Sequence, residues 1–192
     1  TQDDKIYGVS GPASASMEMA VGNLLWSGRR ALVLKCGLFS GRFAEMAEGV
    51  GAEVTVLESE PGKPVEAQMV ADALAQGHYD VVTMVQGETS SGVLTRELQD
   101  ILRLVHEHGA LTMIDAVCTL STMPLKKDEW EIDVLLTGSQ KGLSSLPGVS
   151  LISFSDRAWE TIVSRQGTKP HWCLDVIRAE RFWGEGSYHY TA

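Results

Sequence analysis

Leu111-Thr112-Met113-Ile114-Asp115-Ala116-Val117 is a short apolar run that ends on an acid. It reads as a strand buried on both faces that delivers Asp115 at its carboxyl end, where open α/β sheets place ligand contacts. Similar runs recur on either side. Ala31 to Leu34, Val54 to Leu57, Val81 to Val85, Asp133 to Leu136 and Val149 to Phe154 all read as strands, and Tyr7 to Pro12 as a short strand breaking into a turn. Helical patterns separate most of them. Ala13 to Leu25 sets Met17, Ala20, Val21 and Leu24 on one face, and Arg42 to Val50 is a helix ended by Gly51. Pro64 to Ala75 is expected as a helix opened by proline, and Leu94 to His108 as a long amphipathic helix closed by Gly109. Asp156 is expected to cap a last helix through about Ser164. Strands alternating with helices predict an α/β fold, a mostly parallel sheet sandwiched by helices. The tail from Arg165 to Ala192 is rich in Trp, His, Tyr and Gly and has no clear period.

Composition narrows the function classes. A chain of 192 residues with 44% hydrophobic and 21% charged residues fits one globular unit with a sizeable core. The net charge is −9 and the longest basic clusters are pairs such as Arg29-Arg30, so neither nucleic acid nor an anionic membrane is an expected partner. Cys36, Cys118 and Cys173 are far apart and odd in number, which argues against a disulfide framework and makes a reducing, cytoplasmic setting the default expectation. His106 and His108 are read as solvated residues complementing a helix dipole, and no metal site is expected.

A second stretch, Thr137-Gly138-Ser139-Gln140-Lys141-Gly142-Leu143, follows the return strand. A lysine by itself says little, because most are solvated surface charges. Lys141 lies 26 residues after Asp115, room for one excursion and a return strand, so both side chains could emerge on one rim of the sheet.

Three stretches in order, Gln86-Gly87-Glu88-Thr89-Ser90-Ser91-Gly92, Asp115-Ala116-Val117 and Ser139-Gln140-Lys141, resemble the signatures of class V, fold-type I pyridoxal-phosphate aminotransferases, in the alanine or serine–glyoxylate branch. The resemblance runs from about Val9 to the last residue. It implies the large domain of that fold over 1–192, as a fragment whose small C-terminal domain is absent, and pyridoxal 5'-phosphate as cofactor. Lys141 would attach it covalently and then serve as general base at the substrate α-carbon. Asp115 would pair with the ring nitrogen, Phe39 and Val117 would enclose the ring, and Ser90 would bond near the ring hydroxyl. Ala13, Ser14 and Gln140 would hold the phosphate. Glu88 and Thr89 would shape the turn presenting Ser90. Tyr188 and Thr191 would reach across a homodimer with shared active sites. The reaction implied moves an amino group from a small amino acid, alanine or serine, to a 2-oxo acid such as glyoxylate.

One departure stands out. Where the family has Ser-Gly followed by Thr or His, this chain has Pro12-Ala13-Ser14, and Pro12 supplies neither hydroxyl nor N–H. The family takes its substrate-carboxylate arginine from the C-terminal domain, so Arg42, Arg178 and Arg181 are not assigned that role. Two alternatives stay open: another reaction on this scaffold, a lyase or desulfurase-like activity, and a non-catalytic binding module.

Overall fold

The computed structural model describes residues 5–165 and 171–184. In chain order the elements are β1 (Ile6–Ser10), α1 (Ala13–Leu24), β2 (Arg30–Lys35), α2 (Leu38–Gly49), β3 (Glu53–Glu58), α3 (Ala67–Leu74) and β4 (Val81–Val85). A small ribbon of β5 (Gly87–Glu88) and β6 (Val93–Leu94) follows, then α4 (Leu98–His108), β7 (Leu111–Asp115), β8 (Val134–Gly138), β9 (Val149–Phe154), α5 (Asp156–Ser164) and α6 (Val176–Gly184).

The main sheet runs β1-β9-β8-β7-β4-β2-β3. Five neighbours, β3, β2, β4, β7 and β8, are parallel, and β9 is antiparallel to both β8 and β1. The apolar runs are near-continuous because both faces of the sheet are covered. In β7, Leu111 and Met113 enter the core under α1, α2 and α5, whereas Ile114 enters the core under α3 and α4. In β2, Ala31 and Val33 face the first core and Leu32 and Leu34 the second. Each Val, Leu, Ile or Met among them contributes roughly 1.5–3 kcal/mol by leaving water.

Several boundaries differ from expectation, each for a local reason. The second helix starts at Leu38, not Arg42, because Gly37 serves as N-cap and the Ser40 hydroxyl, at the third helical position, accepts the Gly37 amide at 3.0 Å. Pro64 does not open α3. The helix begins at Ala67, whose amide is taken by the Glu97 carboxylate at 2.7 Å. Leu94 pairs with Gly87 in the ribbon, which delays α4 to Leu98. Gly109 closes α4 in the left-handed conformation, φ 87°. The cap of α5 is Ser155, whose hydroxyl accepts from the Ala158 amide; Asp156 is the first helical residue. The tail without a period contains α6, held by Asn23, which bonds the Leu174 carbonyl and the Val176 amide, and by Glu180, which accepts from Lys5 and Tyr7.

The two histidines sit in the last turn of α4 as expected but are only partly exposed, and each has a neighbour. His108 Nε2 accepts the Tyr79 amide at 3.2 Å, and His106 lies half-buried 3.7 Å from Asp133. Asp133, 1% exposed, joins β7, β8 and α5 by accepting from the Thr112 amide and the Ser155 hydroxyl. Among the described residues no cluster of His, Cys, Asp and Glu could hold a metal, and no helix is long and apolar enough to cross a membrane.

Candidate active site

The carboxyl ends of β2, β4, β7 and β8 converge on one rim, near where the strand order reverses between β2 and β4. A crevice at that position is the expected outcome of the topology. A cavity of about 160 Å³ opens there, and Ala13, Ser14, Phe39, Asp115, Val117, Gln140 and Lys141 all contribute to its lining, together with Arg42 and Cys118. Seven residues singled out from separate parts of the sequence thus meet at one site.

Asp115 ends β7 and is only 5% exposed. Its Oδ1 accepts the Val117 amide at 2.8 Å, while among the described residues Oδ2 has no donor. Burial raises its pKa to about 6; the Val117 N–H pulls it down, the charge of Glu88 adds to the rise, and Arg42 opposes it. A buried carboxylate with one open oxygen facing a cavity is suited to a cationic ring nitrogen.

Lys141 sits in the turn after β8 and is exposed, so the described residues do not desolvate its amine. Its backbone is nonetheless fixed. The Gly142 amide donates to the Val117 carbonyl at 3.0 Å and the Ser121 hydroxyl donates to the Gly142 carbonyl at 2.5 Å. A Cβ on Gly142 would come within 2.3 Å of the Leu120 carbonyl oxygen. Only glycine allows this approach, and it ties the lysine turn to the segment that follows Asp115.

Phe39 lies in the first turn of α2, and Val117 follows Asp115 by two residues. The amino terminus of α1 supplies the remaining wall. Pro12 is its N-cap and offers no side-chain cap bond, and no acid occupies the first turn. Gly138 admits α1 closely: a Cβ there would meet Ala13 Cβ and Gln140 Oε1, both at 3.0 Å.

Ser90 does not contribute to the lining. Its hydroxyl donates to Glu88 Oε1 at 2.6 Å and accepts the Leu38 amide at 2.8 Å, so it caps α2 from a distant loop. Glu88, 1% exposed, does more than shape a turn: it also accepts the amide and hydroxyl of Ser40. Burial alone would raise its pKa, but the hydrogen bonds from Ser90 and Ser40 prevail and hold it below the usual carboxylate value. Ser40 and Glu88 were legible only indirectly; a serine three residues after a glycine is a capping signal, but its distant partner has no local signature. The roles assigned to Tyr188 and Thr191 fall outside the described residues.

The donor set fits pyridoxal phosphate: a cavity between Phe39 and Val117, an acid with an open oxygen, a lysine, and an uncompensated helix amino terminus. Residues 1–172 match the family described as aminotransferase class-V. The chain belongs to that family. Class-V aminotransferases depend on pyridoxal phosphate. The alanine–glyoxylate aminotransferase of Oryctolagus cuniculus is 38% identical over the whole chain and 50% of its own length; that of Rattus norvegicus is 37% identical over 92% of the chain and 42% of its length. Among solved structures, the Bacillus subtilis ureidoglycine–glyoxylate aminotransferase superposes with a TM-score of 0.95 at 29% identity, covering all of this chain and 49% of that one. The Nostoc sp. alanine–glyoxylate aminotransferase gives 0.93 at 31% identity, covering all of this chain and 51% of that one. The fold is therefore that of the fold-type I pyridoxal-phosphate aminotransferases, and the chain spans about half the length of the relatives it matches.

Proposed function

We propose that the protein is a pyridoxal-phosphate-dependent transaminase moving an amino group from a small amino acid to a 2-oxo acid, with glyoxylate as the acceptor that its relatives' names suggest. The observation that carries the reading is the meeting of Asp115 and Lys141 on one cavity. When bound, the cofactor supplies an electron sink for the substrate α-carbon.

The protein's own groups divide the remaining work. Asp115 holds the ring nitrogen protonated; a cation beside it would draw the carboxyl from its raised pKa back to the ionised form. Phe39 and Val117 restrict the ring to one plane, a contact worth about 0.5–1.5 kcal/mol for the aromatic beyond burial alone. Lys141 would hold the cofactor through its amine and would move the proton at the substrate α-carbon. Ser14 and Gln140 hold the phosphate at the start of α1, where the unpaired amides favour an anion. Ser90 acts on the ring indirectly, by fixing the helix that bears Phe39.

A homodimer completes the site in this reading, with Tyr188 and Thr191 contributed to the neighbouring copy, in a cytoplasmic enzyme that uses neither nucleic acid nor membrane. The test is to supply the full-length protein and cofactor with alanine or serine plus glyoxylate and to follow glycine formation. Transfer of nitrogen supports the reading. Release of an eliminated fragment or of sulfur without transfer supports a lyase or desulfurase instead.

A further inference from the structure

Among the described residues, Arg42 is the one cation besides Lys141 in the cavity lining, and the function just proposed gives it nothing to do. It projects from α2 across to α1, where Nη1 donates to the Ser14 hydroxyl at 3.2 Å. Its guanidinium Cζ lies over the Phe39 ring, 4.8 Å from the centroid, a cation–π contact that helps to hold the side chain in place. Among the described residues no carboxylate lies within ion-pairing distance of it. Arg42 and Ser14 also border a wider hollow of about 490 Å³ between α1 and α2, so the guanidinium stands at an opening and is not sealed in the core.

The opposite wall offers the unpaired amides of α1 but no side-chain help from its cap residue. Pro12 brings no N–H and no side-chain cap to α1. The hydroxyl of Ser14, having accepted from Arg42, keeps its own proton free to donate. A planar guanidinium with spare N–H groups matches two oxygens of a phosphate, a geometry an ammonium lacks.

We propose that Arg42 is a phosphate-binding residue of the cofactor cradle, replacing the donor that Pro12 cannot supply and orienting the Ser14 hydroxyl toward the same anion. This rests on the pyridoxal-phosphate reading above. The same cationic chemistry would also suit a substrate carboxylate, but the contact to Ser14 places the guanidinium at the first turn of α1, on the cavity that Gln140 also lines, where the phosphate would be held.

The experiment titrates cofactor-free, full-length protein with pyridoxal phosphate and, separately, with pyridoxal, which lacks the phosphate. For Arg42→Gln the Kd for pyridoxal phosphate is expected to rise at least about tenfold, the loss of one charge-assisted contact, while that for pyridoxal shifts by less than about twofold. Arg42→Lys should recover part of the difference, and inorganic phosphate should compete less well against Arg42→Gln than against the parent. Equal weakening of both ligands, or no change in either, overturns the proposal. An unchanged Kd for pyridoxal phosphate with a raised KM for the amino acid overturns it in favour of the carboxylate role. Borohydride reduction of the parent sample separates the two levels of inference: no label on Lys141 removes the functional reading itself, whereas a labelled parent with unselective Arg42→Gln removes this proposal alone.

Discussion

The Glu88 carboxylate accepts the Ser40 amide at 2.8 Å across 48 residues of chain, and through it the loop after β4 caps the helix that carries Phe39 and Arg42. Removing that carboxylate leaves the buried amide and hydroxyl of Ser40, and the amide and hydroxyl of the more exposed Ser90, without that acceptor. Glu88→Ala should cost about 2–4 kcal/mol in urea denaturation, and Glu88→Gln less, because the amide oxygen still accepts. Gly37→Ala should be similarly damaging, since its Cβ would lie 2.5 Å from both Glu88 Cγ and Ser90 Oγ.

Asp115 makes stability depend on pH in a defined sense. Its pKa rises from 3.8 in the unfolded reference to about 6 in the fold, so between those values the folded chain holds the proton more tightly. Stability of the cofactor-free protein therefore falls as pH rises from 4 to 6, and above 6 the burial penalty is fully present, roughly 3 kcal/mol at most. Asp115→Asn keeps the acceptor for Val117 and removes the charge. It should be more stable than the parent at pH 8, with the advantage gone by pH 4, as read by denaturation of the cofactor-free protein at a series of pH values. The same substitution should weaken cofactor binding.

Gly142→Ala tests the tie between the lysine turn and the Asp115 segment. The added methyl meets the Leu120 carbonyl oxygen, a backbone atom that cannot swing away. A loss of about 1–3 kcal/mol is expected from the overpacking. Thermal denaturation measures that loss, and slower reductive labelling of Lys141 shows that the turn has moved.

Lys141→Ala, by contrast, removes an exposed side chain and should change stability by less than about 0.5 kcal/mol. A large destabilisation in denaturant would show a structural role for the lysine and weaken the chemical one.

How much of this was legible in the sequence follows from where each signal lives. The apolar runs of β4 and β9 mark their own limits: burial on both faces leaves no other reading for Val81–Val85, and the short β-branched and aromatic run Val149–Phe154 reads as a strand although Val149 and Leu151 are exposed. The start of α2 did not mark itself in the same way: Leu38 and Phe39 look like strand exit, and only the cap from Glu88 and Ser90 makes them helical. α6 was hidden for a similar reason. Its anchors, Asn23, Lys5 and Tyr7, lie more than 150 residues away in sequence. At the site, Asp115 and Lys141 were readable from strand exits, whereas Arg42 gains its meaning only from Ser14 and Phe39 in space.

The most direct test of the central claim is reductive trapping. Full-length protein is incubated with pyridoxal phosphate, reduced with borohydride, digested and mapped by mass spectrometry. The account predicts a pyridoxyl label on Lys141, abolished by Lys141→Ala. A label on other lysines only, or none, would contradict it and leave the fold without the chemistry.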